Sequence, residues 1–134
     1  MCNTEKESLD HLLVCCSFSK LICVHLLSWV GWWPTSESSV QGVWTAVLSS
    51  VGNNSSKEAR KVIVAAFLWI MWIQRNGKVF NGIIKSAEEI VEEIQYMAFA
   101  WLRSRYKLGK FLTWESWLCN PESAFLSCNS LAPR

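Results

Sequence analysis

The sequence predicts an all-α protein, a bundle of four or five helices around one central apolar helix. Three observations carry that prediction. Apolar residues recur at helical spacing over long stretches, and no run alternates for long enough to make a convincing strand. Three Ser/Thr-x-x-Glu boxes mark helix starts: Thr4 with Glu7, Ser55 with Glu58, and Ser86 with Glu89. In such a box a hydroxyl and a carboxylate three residues on each accept a backbone N–H that the helix leaves without a partner.

The first box opens a helix predicted over residues 5–29, with a break near Ser17, and Gly31 and Pro34 end it. A shorter helix fits 39–51, where Val40, Val43, Trp44, Val47 and Leu48 share a stripe, and Gly52-Asn53-Asn54 makes a turn. The helix predicted over 57–76 is apolar on nearly all sides, the mark of a central element. Asn76-Gly77 suits a left-handed C-cap there, since glycine has no Cβ to clash. Residues 87–107 read as an amphipathic helix with Ile90, Ile94, Met97 and Trp101 on one face, flanked by Val91, Ala98 and Leu102. Glu88, Glu89, Glu92 and Glu93 fill its first turns, and Arg103, Arg105 and Lys107 its end, which complements the helix dipole. A last short helix is predicted over 111–118, before Asn120-Pro121 and a tail rich in Ser, Asn and Pro.

Composition narrows the class further. The 134 residues are room for one domain, and an apolar fraction of 51% with nine Trp argues against disorder. A formal charge of +2 is too near balance to argue for nucleic acid by itself. The longest apolar run, 62–73, is twelve residues, short of the roughly 20 that cross a bilayer, so no membrane partner is predicted. The polar, acidic start lacks the basic region of an export signal. An intracellular location is therefore expected, with Cys2, Cys15, Cys16, Cys23, Cys119 and Cys128 as reduced thiols.

Cys2, His11 and Cys16 are candidate metal ligands, because thiolate and imidazole are what a tetrahedral zinc site uses. Three ligands leave such a site incomplete, with Cys15, Cys23 or His25 as the available fourth. The other reading makes these thiols small buried apolar groups. His11 and Cys15 lie one helical turn apart, yet nothing orients the imidazole or builds an oxyanion hole for nucleophilic catalysis.

Arg103, Arg105, Lys107 and Lys110, with Tyr106 among them, form the one basic cluster. It reads either as a phosphate and base-stacking contact or as ordinary helix-end charge. Trp69, Trp72 and Arg75 share a helical stripe and read as core and core edge.

The stretch Glu7-Ser8-Leu9-Asp10-His11-Leu12-Leu13-Val14-Cys15-Cys16-Ser17-Phe18-Ser19 resembles the second half of the zinc-binding domain of plant non-LTR retrotransposon reverse transcriptases. Leu68-Trp69-x2-Trp72-x2-Arg75-Asn76-x2-Val79-Phe80, then Trp101 and Trp117-x2-Asn120-Pro121, are similar to the region downstream of that domain, in the same order. The resemblance assigns zinc to Cys2, His11 and Cys16. It places the family's first Cys upstream of Met1, and the family usually has His where Cys15 stands. It thus divides the chain into a truncated zinc-binding-like segment (1–30), a helical bundle region (31–119) and a flexible tail (120–134).

Polymerase and nuclease chemistry in such elements uses metal ions held by several carboxylates. This chain has one aspartate, Asp10, and its clustered glutamates sit where a helix start favours them, so no enzyme is predicted. The implied function is a non-catalytic, retrotransposon-derived remnant with a scaffold or nucleic-acid contact (RNA or DNA). The alternative is a small helical protein-interaction module anchored by exposed Trp29, Trp32 and Trp33, with no nucleic-acid role.

Overall fold

The structure, a computed structural model, describes residues 16–34, 39–81, 85–106 and 109–129. Within them lie α1 (Ser17–Val30), α2 (Val40–Leu48), α3 (Asn54–Asn81), α4 (Ala87–Arg105), α5 (Trp114–Cys119) and α6 (Pro121–Asn129). A 3₁₀ turn at Gly109–Phe111 links α4 to α5, and no strand occurs among the described residues. The all-α class is as predicted.

Local chemistry sets the helix ends. Gly31 takes the left-handed conformation (φ 85°) and its N–H closes α1 onto the Leu27 carbonyl at 2.8 Å. The Ser39 hydroxyl accepts the Gly42 N–H at 2.9 Å and starts α2. Ser86 and Glu89 form the predicted reciprocal box on α4. The start of α3 differs: Asn53 Oδ1 accepts the Ser56 N–H at 2.8 Å, so the helix opens before the predicted Ser55 box. Asn76-Gly77 does not end α3, which runs on to Asn81. The first box, Thr4 with Glu7, lies outside the described residues.

The tail is corrected over 121–129. Asn120 Oδ1 accepts the Ser123 N–H at 3.1 Å, and Pro121 occupies the first helical position, where its missing N–H costs nothing. Asn-Pro here starts a helix instead of closing one. Phe125 of α6 is fully buried, with the Tyr106 ring edge-on at 5.2 Å.

The long helix α3 is the hub, packing against α2, α4 and α6, while α1 lies on α4 and α6. Ile63, Val64, Phe67 and Met71 of α3 are buried against Ile90, Ile94, Ala98 and Leu102 of α4, Val43 and Val47 of α2, and Ile22 and Leu26 of α1 in one core. Each large side chain so buried contributes roughly 1.5–3 kcal/mol over exposure.

At one edge of this core the Tyr106 hydroxyl and Lys61 both donate to the Glu58 carboxylate. Those hydrogen bonds, Lys61 first, hold Glu58 below the usual carboxylate range. Burial and then Glu58 itself push the Tyr106 phenol up to about 12.

Candidate functional site: the basic end of α4

The last turn of α4 carries Arg103 and Arg105, both exposed, where cations offset the partial negative charge of the helix end. Each guanidinium lies over an aromatic ring one turn back. Arg103 sits 5.4 Å from the Phe99 centroid, and Arg105 sits 5.7 Å from that of Trp101. Lys110, on the 3₁₀ turn, lies 5.3 Å from the ring of Phe111. Among the described residues none of the three pairs with a carboxylate. Lys107, the fourth predicted member, lies outside the described residues.

Lys110 follows Gly109, which packs on the Arg103 backbone, while Arg105 projects from another side of α4. Two residues apart on a helix means about 200° around its axis. The device that seats the turn is Gly109, whose backbone presses on α4. A Cβ there would lie 2.1 Å from the Leu102 carbonyl oxygen and 2.9 Å from the Cα of Arg103. Glycine is required by this approach of one backbone to another. Gly109→Ala is expected to lift the turn off α4 and to cost about 2 kcal/mol, read as a lower urea midpoint. An unchanged midpoint would show that the turn has slack. Sequence reasoning passes over Gly109, because a close backbone approach leaves no trace in spacing or composition.

Of the predicted zinc ligands only Cys16 is described, since Cys2 and His11 lie outside the described residues. Cys16 stands at the cap of α1 and is 1% exposed. Of the offered fourth ligands, Cys15 also lies outside the described residues, His25 is on the exposed side of α1, and burial pushes the Cys23 thiol up to about 11. A thiol held in its protonated form is the opposite of a ready metal ligand. Among the described residues no group of three or more His, Cys, Asp or Glu gathers as a metal site requires.

The tryptophans are placed differently from prediction. Trp33 is buried, with the Phe67 ring edge-on at 5.4 Å. Trp29 donates its indole N–H to the Trp117 and Leu118 carbonyls at 3.2 and 3.0 Å. Trp32 is half-buried under the Arg60 guanidinium. None of these three is the projecting anchor that the interaction-module reading requires. Trp69 and Trp72, expected as core and core edge, are 48% and 42% exposed on the outer face of α3, with Ile73 beside them. The apolar character of α3 exceeds what its neighbours cover: they enclose one side of the hub and leave the other to solvent.

The glutamates of α4 divide in the same way. Glu88, Glu89 and Glu92 are exposed, as a solvated face should be, while Glu93 accepts from Gln74 at 3.2 Å and from Lys85. No described helix is long and apolar enough to cross a membrane. Comparison with protein-family models, curated proteins and solved structures finds no match to this chain.

Proposed function

We propose that this chain is a non-catalytic helical module, derived from the zinc-binding-like region of a retrotransposon reverse transcriptase, that contacts nucleic-acid phosphates through the basic end of α4. One observation carries the reading: Arg103, Arg105 and Lys110 are exposed at one end of the bundle, each held over an aromatic ring. A guanidinium resting on a ring keeps its outward donors for phosphate, and half-buried Trp101 and exposed Phe111 offer stacking surface to unpaired bases. The derivation rests on the ordered resemblance from Cys2 to Pro121, and zinc has no part in the proposed contact.

Binding of a single-stranded RNA should weaken steeply with salt, because each neutralised phosphate releases counterions. Arg105→Glu combined with Lys110→Glu is expected to lower affinity at least tenfold at low salt and to flatten the salt slope by about two. Fluorescence anisotropy across a salt series measures both. Affinity indifferent to salt, or to this double reversal, would refute the contact.

A further inference from the structure

The outer face of α4 carries charge of opposite sign at its two ends and aromatic surface between them. Glu88 and Glu92 are exposed near its start and Arg103 near its end, with Tyr96, 64% exposed, in the middle. Glu92, Tyr96 and Arg103 succeed one another at steps of four and seven residues, the spacing of a single helical face, with Phe99 buried beneath it against Trp114 of α5. The Tyr96 ring meets Trp114 edge-on at 6.1 Å. It also borders an open groove of about 650 Å³ between α3 and α4, lined by Ile70, Ile73, Met97, Ala100 and Trp101 among others.

Glu92 and Arg103 are eleven residues apart, about three turns and roughly 16 Å along the axis. Their midpoint falls next to Tyr96. A second copy of α4 laid antiparallel on this seam therefore puts each Glu92 opposite the Arg103 of the other copy, with both Tyr96 rings near the two-fold axis. Parallel pairing would set like charge on like. The acid–aromatic–base order is complementary to itself in the antiparallel sense alone, which is what an isologous interface demands.

We propose that the chain self-associates as a two-fold symmetric dimer across the Glu92–Tyr96–Arg103 face of α4. The dimer does not rest on the nucleic-acid reading, although the two share Arg103: the RNA test reverses Arg105 and Lys110 and leaves Arg103 in place, and Arg105 points about 200° away from it.

Sedimentation equilibrium of the full chain, free of nucleic acid at low salt, tests it. The wild type should show a reversible monomer–dimer equilibrium. Glu92→Lys alone, or Arg103→Glu alone, should raise the dissociation constant about tenfold or more, since the two-fold axis repeats each like-charge contact. The two changes together should restore it to near the wild-type value. Both sites are exposed, and circular dichroism with thermal melting confirms that each variant folds. A wild type that stays monomeric, single variants that dimerise as well as wild type, or a double variant that stays apart would each overturn the proposal.

Discussion

Trp117→Ala is expected to lower stability by about 3–5 kcal/mol and the thermal midpoint by roughly 10–20 °C. Trp117 is fully buried, although it sits on the six-residue helix α5, far too short to stand alone. Its indole N–H donates to the Gln95 carbonyl of α4 at 2.9 Å, and its ring meets Trp29 edge-on at 5.2 Å. Trp29 in turn donates to the Trp117 and Leu118 carbonyls, which lie at the end of α5 and lack helical partners. One side chain thus joins α1, α4 and α5, and alanine removes both the ring that fills the space and the contact that holds Trp29. Trp117→Phe separates the two losses. It keeps most of the packing, and the Gln95 carbonyl retains its place within α4, so a cost of only about 1–2 kcal/mol is expected. Urea and thermal unfolding of both variants measure the difference. Equal losses would mean that the hydrogen bond, and not the packed ring, dominates.

The elements are legible wherever local chemistry decides them. Ser86 with Glu89, Ser39, and Gly31 each act within a turn or less of their own position, and each works as its residue type predicts. Asn53 reads as a turn residue and proves to be a cap, a difference of two positions within one mechanism. Gly77 and Pro121 show where local reasoning gives way. Helix propensity is worth about 1 kcal/mol at a glycine, less than a packed long helix supplies, so α3 runs through it. Pro121 carries the same residue signal whether it stops one helix or starts the next, and the burial of Phe125 decides the case.

The site is legible as charge and not as geometry. Arg103, Arg105 and Lys110 stand out in the sequence as a cluster, but the ring beneath each and the seat that Gly109 provides are matters of tertiary approach. The tryptophans mislead for a related reason. Amphipathic period marks which face of a helix is apolar, and α3 is apolar on more faces than its neighbours cover. Periodicity therefore places Trp69 and Trp72 in the core and at its edge, and the packing leaves both of them 42% or more exposed.

Arg60→Met is expected to cost about 2–3 kcal/mol, through a junction no sequence pattern marks. The Arg60 guanidinium, on α3, pairs in fork geometry with Glu122 of α6, Nε to Oε2 and Nη2 to Oε1 both at 3.1 Å. It also donates to the Ser50 hydroxyl at 3.0 Å and to the Val51 carbonyl, and it lies 5.0 Å from the Trp32 centroid. The α2–α3 connection, α6 and the segment after α1 all converge on this one cation. The two side chains are 11% and 16% exposed, between a surface pair worth little and a sealed pair whose rupture costs about 3–5 kcal/mol, which sets the expected loss.

Most of that loss comes from leaving Glu122 and the buried Ser50 hydroxyl poorly solvated, not from the net worth of the pair. Arg60→Met with Glu122→Leu should therefore recover about 1–2 kcal/mol relative to Arg60→Met alone, since it removes the stranded carboxylate and supplies apolar contact. Arg60→Lys should recover little, because an ammonium has no planar fork to hold two oxygens and stack on an indole together. Urea midpoints of the four proteins decide between these terms. A lysine variant as stable as wild type would show that the charge alone holds α6 to α3, and that the fork geometry is incidental.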